Sequence, residues 1–343
     1  MHKKDLGLAV LIIAVGAVVY LQNPLFLSPI NLGNTANLIG LFGLFAIGQG
    51  FVIMTGGIDL SVGSMIALLG VLFVDMVGKF SVPWPAAILV ILVVGTLLGL
   101  AHGLLITKLR MQPFVVTLCG LLIYRGAARG YTGEATAGFP FGASYPALEW
   151  LTIGRSFGVP HSFFAMIIIG IVCWFVLHRS VFGRHLQAVG KNEDAARYSG
   201  IRTGFVITAA YVICAALTAI AAVYFAMFTR SVQPSSHGNF YELYAIAAAV
   251  LGGFSLRGGE GSIIGVVLGA LLLQELQNLV NLLGIPSSLN FAVMGAVILA
   301  GVLTDQQFNL YRARRRAAAA LGVPDKSGSA RHQTPATNNG LTP

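Results

Sequence analysis

Charge is scarce in this chain. Of its 343 residues only 10% are Asp, Glu, Lys or Arg, against 56% hydrophobic. A soluble domain carries about 25% charged residues, so with a mean hydropathy of +0.80 that class is excluded. Cysteine is nearly absent: Cys119, Cys173 and Cys214 all lie within apolar runs. They read as small core residues, and no disulfide framework is implied. Nucleotide chemistry is missing too. Gly190-Lys191-Asn192 lacks the upstream glycine and the Ser/Thr of a P-loop, and Gly258-Gly259-Glu260-Gly261 has no lysine to reach a phosphate. The seven histidines stand at no metal-ligand spacing, and there is no nucleophile elbow and no His-Glu-x-x-His. A non-catalytic subunit with no metal and no cofactor is expected. Any uphill work must draw on an ion gradient or on another subunit.

What the chain has is apolar length. Runs long enough to span a bilayer recur near 6–22, 34–54, 60–78, 84–107, 113–131, 161–178, 204–228, 242–256, 261–283 and 289–305. The fold class expected is all-α, a polytopic inner-membrane bundle of about ten transmembrane helices. With the N-terminus inside, sixteen of the 21 basic residues fall in inner segments, which fixes the orientation as N-in and C-in. The net charge of +9 is therefore topology, and no nucleic acid is expected. His2-Lys3-Lys4 precedes the first run, but no small-residue cleavage site follows, so the run is retained as a span. Residues 1–311 form the membrane domain, and 312–343, rich in Ser, Thr, Asn, Gly and Pro, read as a disordered cytoplasmic tail.

Between Phe51 and Leu72 two apolar arms enclose Gly56-Gly57-Ile58-Asp59-Leu60-Ser61. A carboxylate at the centre of a membrane helix costs about 2.5–3.5 kcal/mol on insertion scales. Asp59 therefore marks a helix break, either a capped turn or part of a transport path, with Asp59 or Ser61 capping the helix that restarts. Gly95, Gly99 and Gly103, and likewise Gly261, Gly265 and Gly269, place small residues along one helix face for close packing. Gln274, Gln277, Asn278 and Asn281 gather amides on one face, with Glu275 at its edge. That face must point inward, as glue between helices or as the lining of a passage for a polar, uncharged solute. Tyr241, Glu242 and Tyr244 read as interfacial anchors or, alternatively, as residues facing the passage, and His102 as a hydrogen-bonded packing residue. The outer segment 132–160, rich in glycine, proline and aromatics, is too long for a connector and is expected to pack over the outer mouth, or to form an aromatic belt.

The inner segment 179–203 carries Glu193-Asp194-Ala195-Ala196-Arg197-Tyr198, a short helix that Asn192 can cap. Gly190 and Gly200 bracket it as hinges or caps, and the alanine pair lets a neighbouring surface close over it. This segment resembles the cytoplasmic coupling loop of ABC importer permeases for monosaccharides, the ribose, xylose and galactofuranose type. The pattern FGR-x3-A-x-G-x-N-x2-AAR-x-SGI is matched by Phe182-Gly183-Arg184, Ala188, Gly190, Asn192, Ala195-Ala196-Arg197 and Ser199-Gly200-Ile201. Thr55 through Ser64, Gln112 through Leu118 with Tyr124-Arg125-Gly126, and Leu251-Gly252-Gly253 with Gly258-Gly259, Gly261-Ser262 and Gly265 agree in order. Lys191 stands where many members have glycine, and Gln274 through Gln277 is more polar than usual.

The resemblance implies a permease subunit, paired with a second permease chain as homodimer or paralogue heterodimer. It also implies a cytoplasmic ATPase subunit docked on 183–201, an extracytoplasmic sugar-binding protein and a lipid environment. A furanose signal of the autoinducer-2 kind is the nearest alternative solute. A proton-coupled carrier using Glu275 is the alternative mechanism.

Overall fold

A computed structural model describes residues 3–284 and isolated positions up to Leu299. Apart from those isolated positions, the expected span 289–305 lies outside the described residues, as does the tail from 312. In lipid each backbone N–H and C=O must be satisfied within the segment, so apolar runs become helices. The helices are α1 (Lys3–Gln22), α2 (Pro29–Met54), α3 (Val62–Gly78), α4 (Trp84–Lys108), α5 (Pro113–Thr132), α6 (Pro146–Ile153), α7 (His161–Arg179), α8 (Val181–Lys191), α9 (Glu193–Tyr198), α10 (Thr203–Thr229), α11 (Tyr241–Leu251) and α12 (Ile263–Leu282). Nine of the ten expected spans coincide with helices. By length and composition α2, α4, α7, α10 and α12 can cross a membrane, and the chain is a polytopic helical membrane protein.

Local sequence sets the ends. Pro29 opens α2 behind Ser28, whose Oγ accepts from Asn31 N–H at 3.3 Å. Pro113 opens α5, and Gly133, at φ +59°, closes it in the left-handed conformation that an L side chain resists. Ser262 Oγ accepts from Gly265 N–H to start α12.

The core sits around α2, whose apolar window is 94% buried. The α4 stripe does what its spacing implies, and the second does so at two of its three members, since Gly261 precedes α12 and lies against the Phe254 ring. Gly95, Gly99 and Gly103 of α4 lie on Ala219, Ala215 and Thr208 of α10, so close that a Cβ at Gly99 would stand 2.6 Å from the Tyr211 carbonyl oxygen. In α12, Gly265 lies on Gly252 and Gly269 on the Ala248 carbonyl. Such contact maximises dispersion where lipid offers no hydrophobic drive between helices.

Four two-residue strands sit at one end of the bundle: β1 (Ala137–Gly138), β2 (Arg155–Ser156), β3 (Val159–Pro160) and β4 (Ser231–Val232). β1 pairs antiparallel with β4, and β2 with β3. With α6 they make 132–160 a structured cover, tied down by Arg230 Nη1 to Glu149 Oε1 at 2.7 Å and by Arg155 Nη2 to Asn34 Oδ1 at 3.0 Å. The opposite end carries α8 and α9.

One element departs from the expected pattern. With 11 residues α11 rises only about 17 Å, too short for a hydrocarbon core of about 30 Å. The chain from β4 enters the bundle without regular structure over 233–240 before α11 begins. Arg125 of α5 satisfies that stretch, donating from Nη1 to the carbonyls of Pro234 at 2.9 Å and His237 at 2.6 Å. Irregular backbone within a bundle is tolerated where protein supplies such partners.

A candidate platform joined to a buried polar centre

Two helices build the platform. Ser180 Oγ accepts from Gly183 N–H at 3.1 Å and caps α8. That helix turns Gly183, Leu186 and Val189 inward and leaves Arg184 exposed. Asn192 Oδ1 accepts from Ala195 N–H at 2.9 Å and caps α9, as the sequence led us to expect. Glu193 stands at the positive end of the α9 dipole. It accepts from Arg197 Nη2 at 2.6 Å and from Thr203 Oγ1 at 3.1 Å. The alanine pair divides: Ala195 is exposed, whereas Ala196 is buried at 4%. Tyr198, 92% exposed at the end of α9, is a large aromatic with no cover of its own, and the sequence reading passed over it.

Gly190 is not a hinge. A Cβ there would overlap the Met54 carbonyl and the Gly259 backbone, so three main chains meet where only hydrogen fits. Gly259 N–H donates to the Met54 carbonyl at 2.8 Å. Gly258, at φ +84°, would place a Cβ 2.8 Å from both Gly190 O and Gly56 N. The end of α8, the break after α2 and the turn between α11 and α12 are thus fastened by backbone contact. Gly200, at φ +84° with open space around it, keeps the expected role of a cap.

Beyond this junction lies the polar centre. Asp59 is 1% exposed. Its Oδ1 accepts from Ser61 N–H at 2.8 Å and from Ser61 Oγ at 2.7 Å. Ser61 itself makes no side-chain cap on α3, so of the two expected caps only Asp59 organises the turn. With its amide turned to match, Gln49 donates to the Asp59 carbonyl at 3.3 Å and accepts from its N–H at 3.1 Å. Thr117 Oγ1 of α5 donates to the Ile58 carbonyl at 3.1 Å. His102 of α4 brings Nδ1 to 3.9 Å from Asp59 Oδ2, and its Nε2 bonds Tyr124 OH of α5 at 2.8 Å. The sequence read His102 as a bonded packing residue. It is bonded, but to a tyrosine that also faces Asp59, and no local spacing announces that meeting.

The amide stripe lies elsewhere. Asn278 Nδ2 donates to Asn31 Oδ1 at 2.7 Å and to Thr35 Oγ1 at 2.8 Å, joining α12 to the first turns of α2. Gln274 and Glu275 are buried, and Glu275 Oε1 lies against Gly16 of α1. Gln277 is half-buried, and Asn281 is exposed, so the expectation that the whole face points inward fails at its last member. Asn31 and Gln49 lie eighteen residues apart on α2, or about 27 Å. The structure does not bring Asp59 and Ser61 together with the stripe.

Two further expectations are corrected. Tyr241, Glu242 and Tyr244 are not interfacial anchors: Glu242 is 7% exposed beside Gly63. Tyr241 stacks on Phe45 with centroids 5.8 Å apart, and Tyr244 meets Phe42 edge-on at 5.5 Å. The reason is the entry of 233–240 into the bundle, which starts α11 well inside it. Cys173 and Cys214 are buried, but Cys119 lies exposed on α5.

Residues 31–302 match the family described as branched-chain amino acid transport system / permease component. The ribose import permease protein of Escherichia coli (strain K12) is 38% identical over 307 residues, covering 90% of this chain and 94% of its own. That of Bacillus subtilis (strain 168) is 40% identical over 303 residues, covering 88% and 91%. The galactofuranose transporter permease protein of Escherichia coli (strain K12) is 35% identical over 291 residues, covering 84% and 83%. No solved structure matches the chain.

Proposed function

The chain belongs to the branched-chain amino acid transport system permease family, the membrane components of ABC importers in the bacterial inner membrane, and we propose that it is the subunit that carries a monosaccharide or similar small polyol across that membrane. Ribose and galactofuranose permeases both lie at 35–40% identity, so the proposal is the sugar class and no single sugar.

The observation that carries the reading is the backbone junction at Gly190, Met54 and Gly259. An importer permease must turn a push from outside the bilayer into movement within it. Here the exposed α8–α9 platform reaches the only helix break bearing a buried carboxylate among the described residues without an intervening flexible side chain. Ala195, Arg184 and Tyr198 offer the outward face for a cytoplasmic ATPase subunit.

In this reading the platform end is cytoplasmic, which agrees with the basic residues of 179–203. The strand-bearing cover then faces the extracytoplasmic binding protein that delivers solute. Ten crossings run N-in to C-in, the eighth made by the irregular stretch 233–240 together with α11, residues 312–343 trail into the cytoplasm, and a second permease chain, the same or a paralogue, completes the path. Asp59 and Ser61 act at the inner part of that path. The stripe of Gln274, Glu275, Gln277, Asn278 and Asn281 acts near its outer part, where Asn278 already serves as glue between helices. Family membership argues against a proton-driven carrier built on Glu275. The test is ATP-driven uptake of labelled pentoses and hexoses into vesicles holding the assembled importer. Uptake that needs ATP and the binding protein supports the proposal, and uptake driven by a proton gradient without partners contradicts it.

A further inference from the structure

Around Asp59 several enclosed polar atoms use only part of their bonding capacity. His102 is 3% exposed and Tyr211 is fully buried. Neither His102 Nδ1 nor Tyr211 OH has a hydrogen-bond partner. An enclosed, unpaired polar atom forfeits the hydrogen bonds it made to water, and α4 is otherwise apolar through this region, from Ile88 to Gly103 save Thr96. A leucine at 102 would avoid that cost. The histidine is placed where its second nitrogen points at the carboxylate of the helix break, 3.9 Å away.

We infer that His102 is a positioning residue, a latch on the α2–α3 break that forms a direct bond to Asp59 in one register of the break and opens in the other. The inference rests on the importer reading above. The phenol of Tyr124 donates to Nε2, because a proton on Nε2 would leave the Nδ1 lone pair facing a carboxylate. The proton is therefore on Nδ1, aimed at Asp59 Oδ2. A charge-assisted N–H to carboxylate bond is about 2.7–2.9 Å long, so roughly 1 Å of movement closes the gap. That is a shift a turn can make without unpacking the glycine-lined contact of α4 on α10. The break is fastened to α8 through Met54, Gly190 and Gly259. Displacement of the platform is then the movement that selects between open and closed latch. Tyr124 holds the His102 ring from the α5 side, whereas Thr117 and Gln49 bond the backbone of the turn itself and must yield as it moves.

The experiment uses the assembled importer in liposomes. It follows the monosaccharide that the wild-type vesicles take up fastest from a labelled pentose and hexose panel, and counts solute moved per ATP hydrolysed. His102→Asn keeps an N–H where Nδ1 stands, whereas His102→Gln keeps one only where Nε2 stands. The latch predicts that His102→Asn, which lacks an Nε2 for Tyr124, loses part of the coupling but keeps several-fold more than His102→Gln. His102→Gln loses at least tenfold in solute per ATP while hydrolysis continues. Equal performance of the two, or wild-type coupling by His102→Ala, overturns the inference. Tyr124→Phe keeps the ring volume and removes the donor to Nε2, and serves if the His102 variants fail to fold. It too must lose coupling, and wild-type coupling there would overturn the latch. Wild-type vesicles without ATP-driven uptake would instead overturn the importer reading.

Discussion

At Gly190 one methyl group decides whether three main chains can meet. The obstacles to a Cβ there are backbone atoms of Met54 and Gly259, which cannot swing aside as a side chain would. Overpacking of this kind costs about 1–3 kcal/mol, so Gly190→Ala is expected to lower the melting temperature of the purified chain and reduce uptake. Gly126 of α5 has nothing within 4 Å of its added Cβ. Gly126→Ala is therefore expected to leave the melting temperature within the range of neutral surface changes, about ±0.5 kcal/mol. Similar losses in the two variants would mean that the junction is not what makes Gly190 costly to replace. The alanine pair separates in the same way. Ala195→Arg places a long charged side chain on the exposed face of α9, so uptake and ATPase co-purification are expected to be lost with the chain still stable. Ala196→Arg forces a charge into a buried position and is expected to destabilise the platform itself, read as a lower melting temperature. A stable Ala195→Arg chain that still takes up sugar at the wild-type rate would remove α9 from the docking surface.

Among the elements, the cover at the strand end is held by charge as well as by pairing. The Glu149 carboxyl is held below the usual carboxylate range by the Tyr145 backbone N–H, at 3.1 Å, and by Arg230. A lowered folded-state value means that the contribution is fully present above the unfolded value, about 4.3. It is lost as pH falls through the folded value. The protection of 137–160 against hydrogen exchange, corrected for the intrinsic pH dependence of the exchange rate, is therefore expected to be constant at neutral pH and to fall in acid as Glu149 is protonated. Glu149→Gln, which cannot ionise, should exchange faster at neutral pH and lose most of the acid step. An acid step of undiminished size in that variant would assign the tether elsewhere.

Helices were the most legible elements because apolar length is a local property of sequence. Nine expected spans fall on helices, and the stripe glycines that lie within α4 and α12 pack as their four-residue spacing implies. The expected span 242–256 is cut short at Gly252-Gly253, the latter at φ +89°, which close α11 after Leu251, while its irregular entry over 233–240 is held by Arg125, more than a hundred residues away in sequence. Gly190 read as a hinge because its partners, Met54 and Gly259, are equally remote. Asp59 was legible as a buried charge, while His102 and Tyr124 beside it were not, since their meeting depends on how α4 and α5 lie against the break.

For the whole molecule, the family and the geometry point the same way. The described part of the chain has an exposed platform at one end, a tied cover at the other and a helix break fastened to the platform between them. Such a machine is incomplete alone, and a solitary chain is expected to bind no ATP and to move no sugar. The most direct measurement is affinity purification of the full chain from native membranes in mild detergent, with every co-purifying chain identified, followed by uptake in liposomes with and without ATP. The account predicts a Walker-motif ATPase and a sugar-binding protein in the eluate, and uptake only when both are present with ATP. A solitary chain that moves sugar down or against a gradient without them would contradict it.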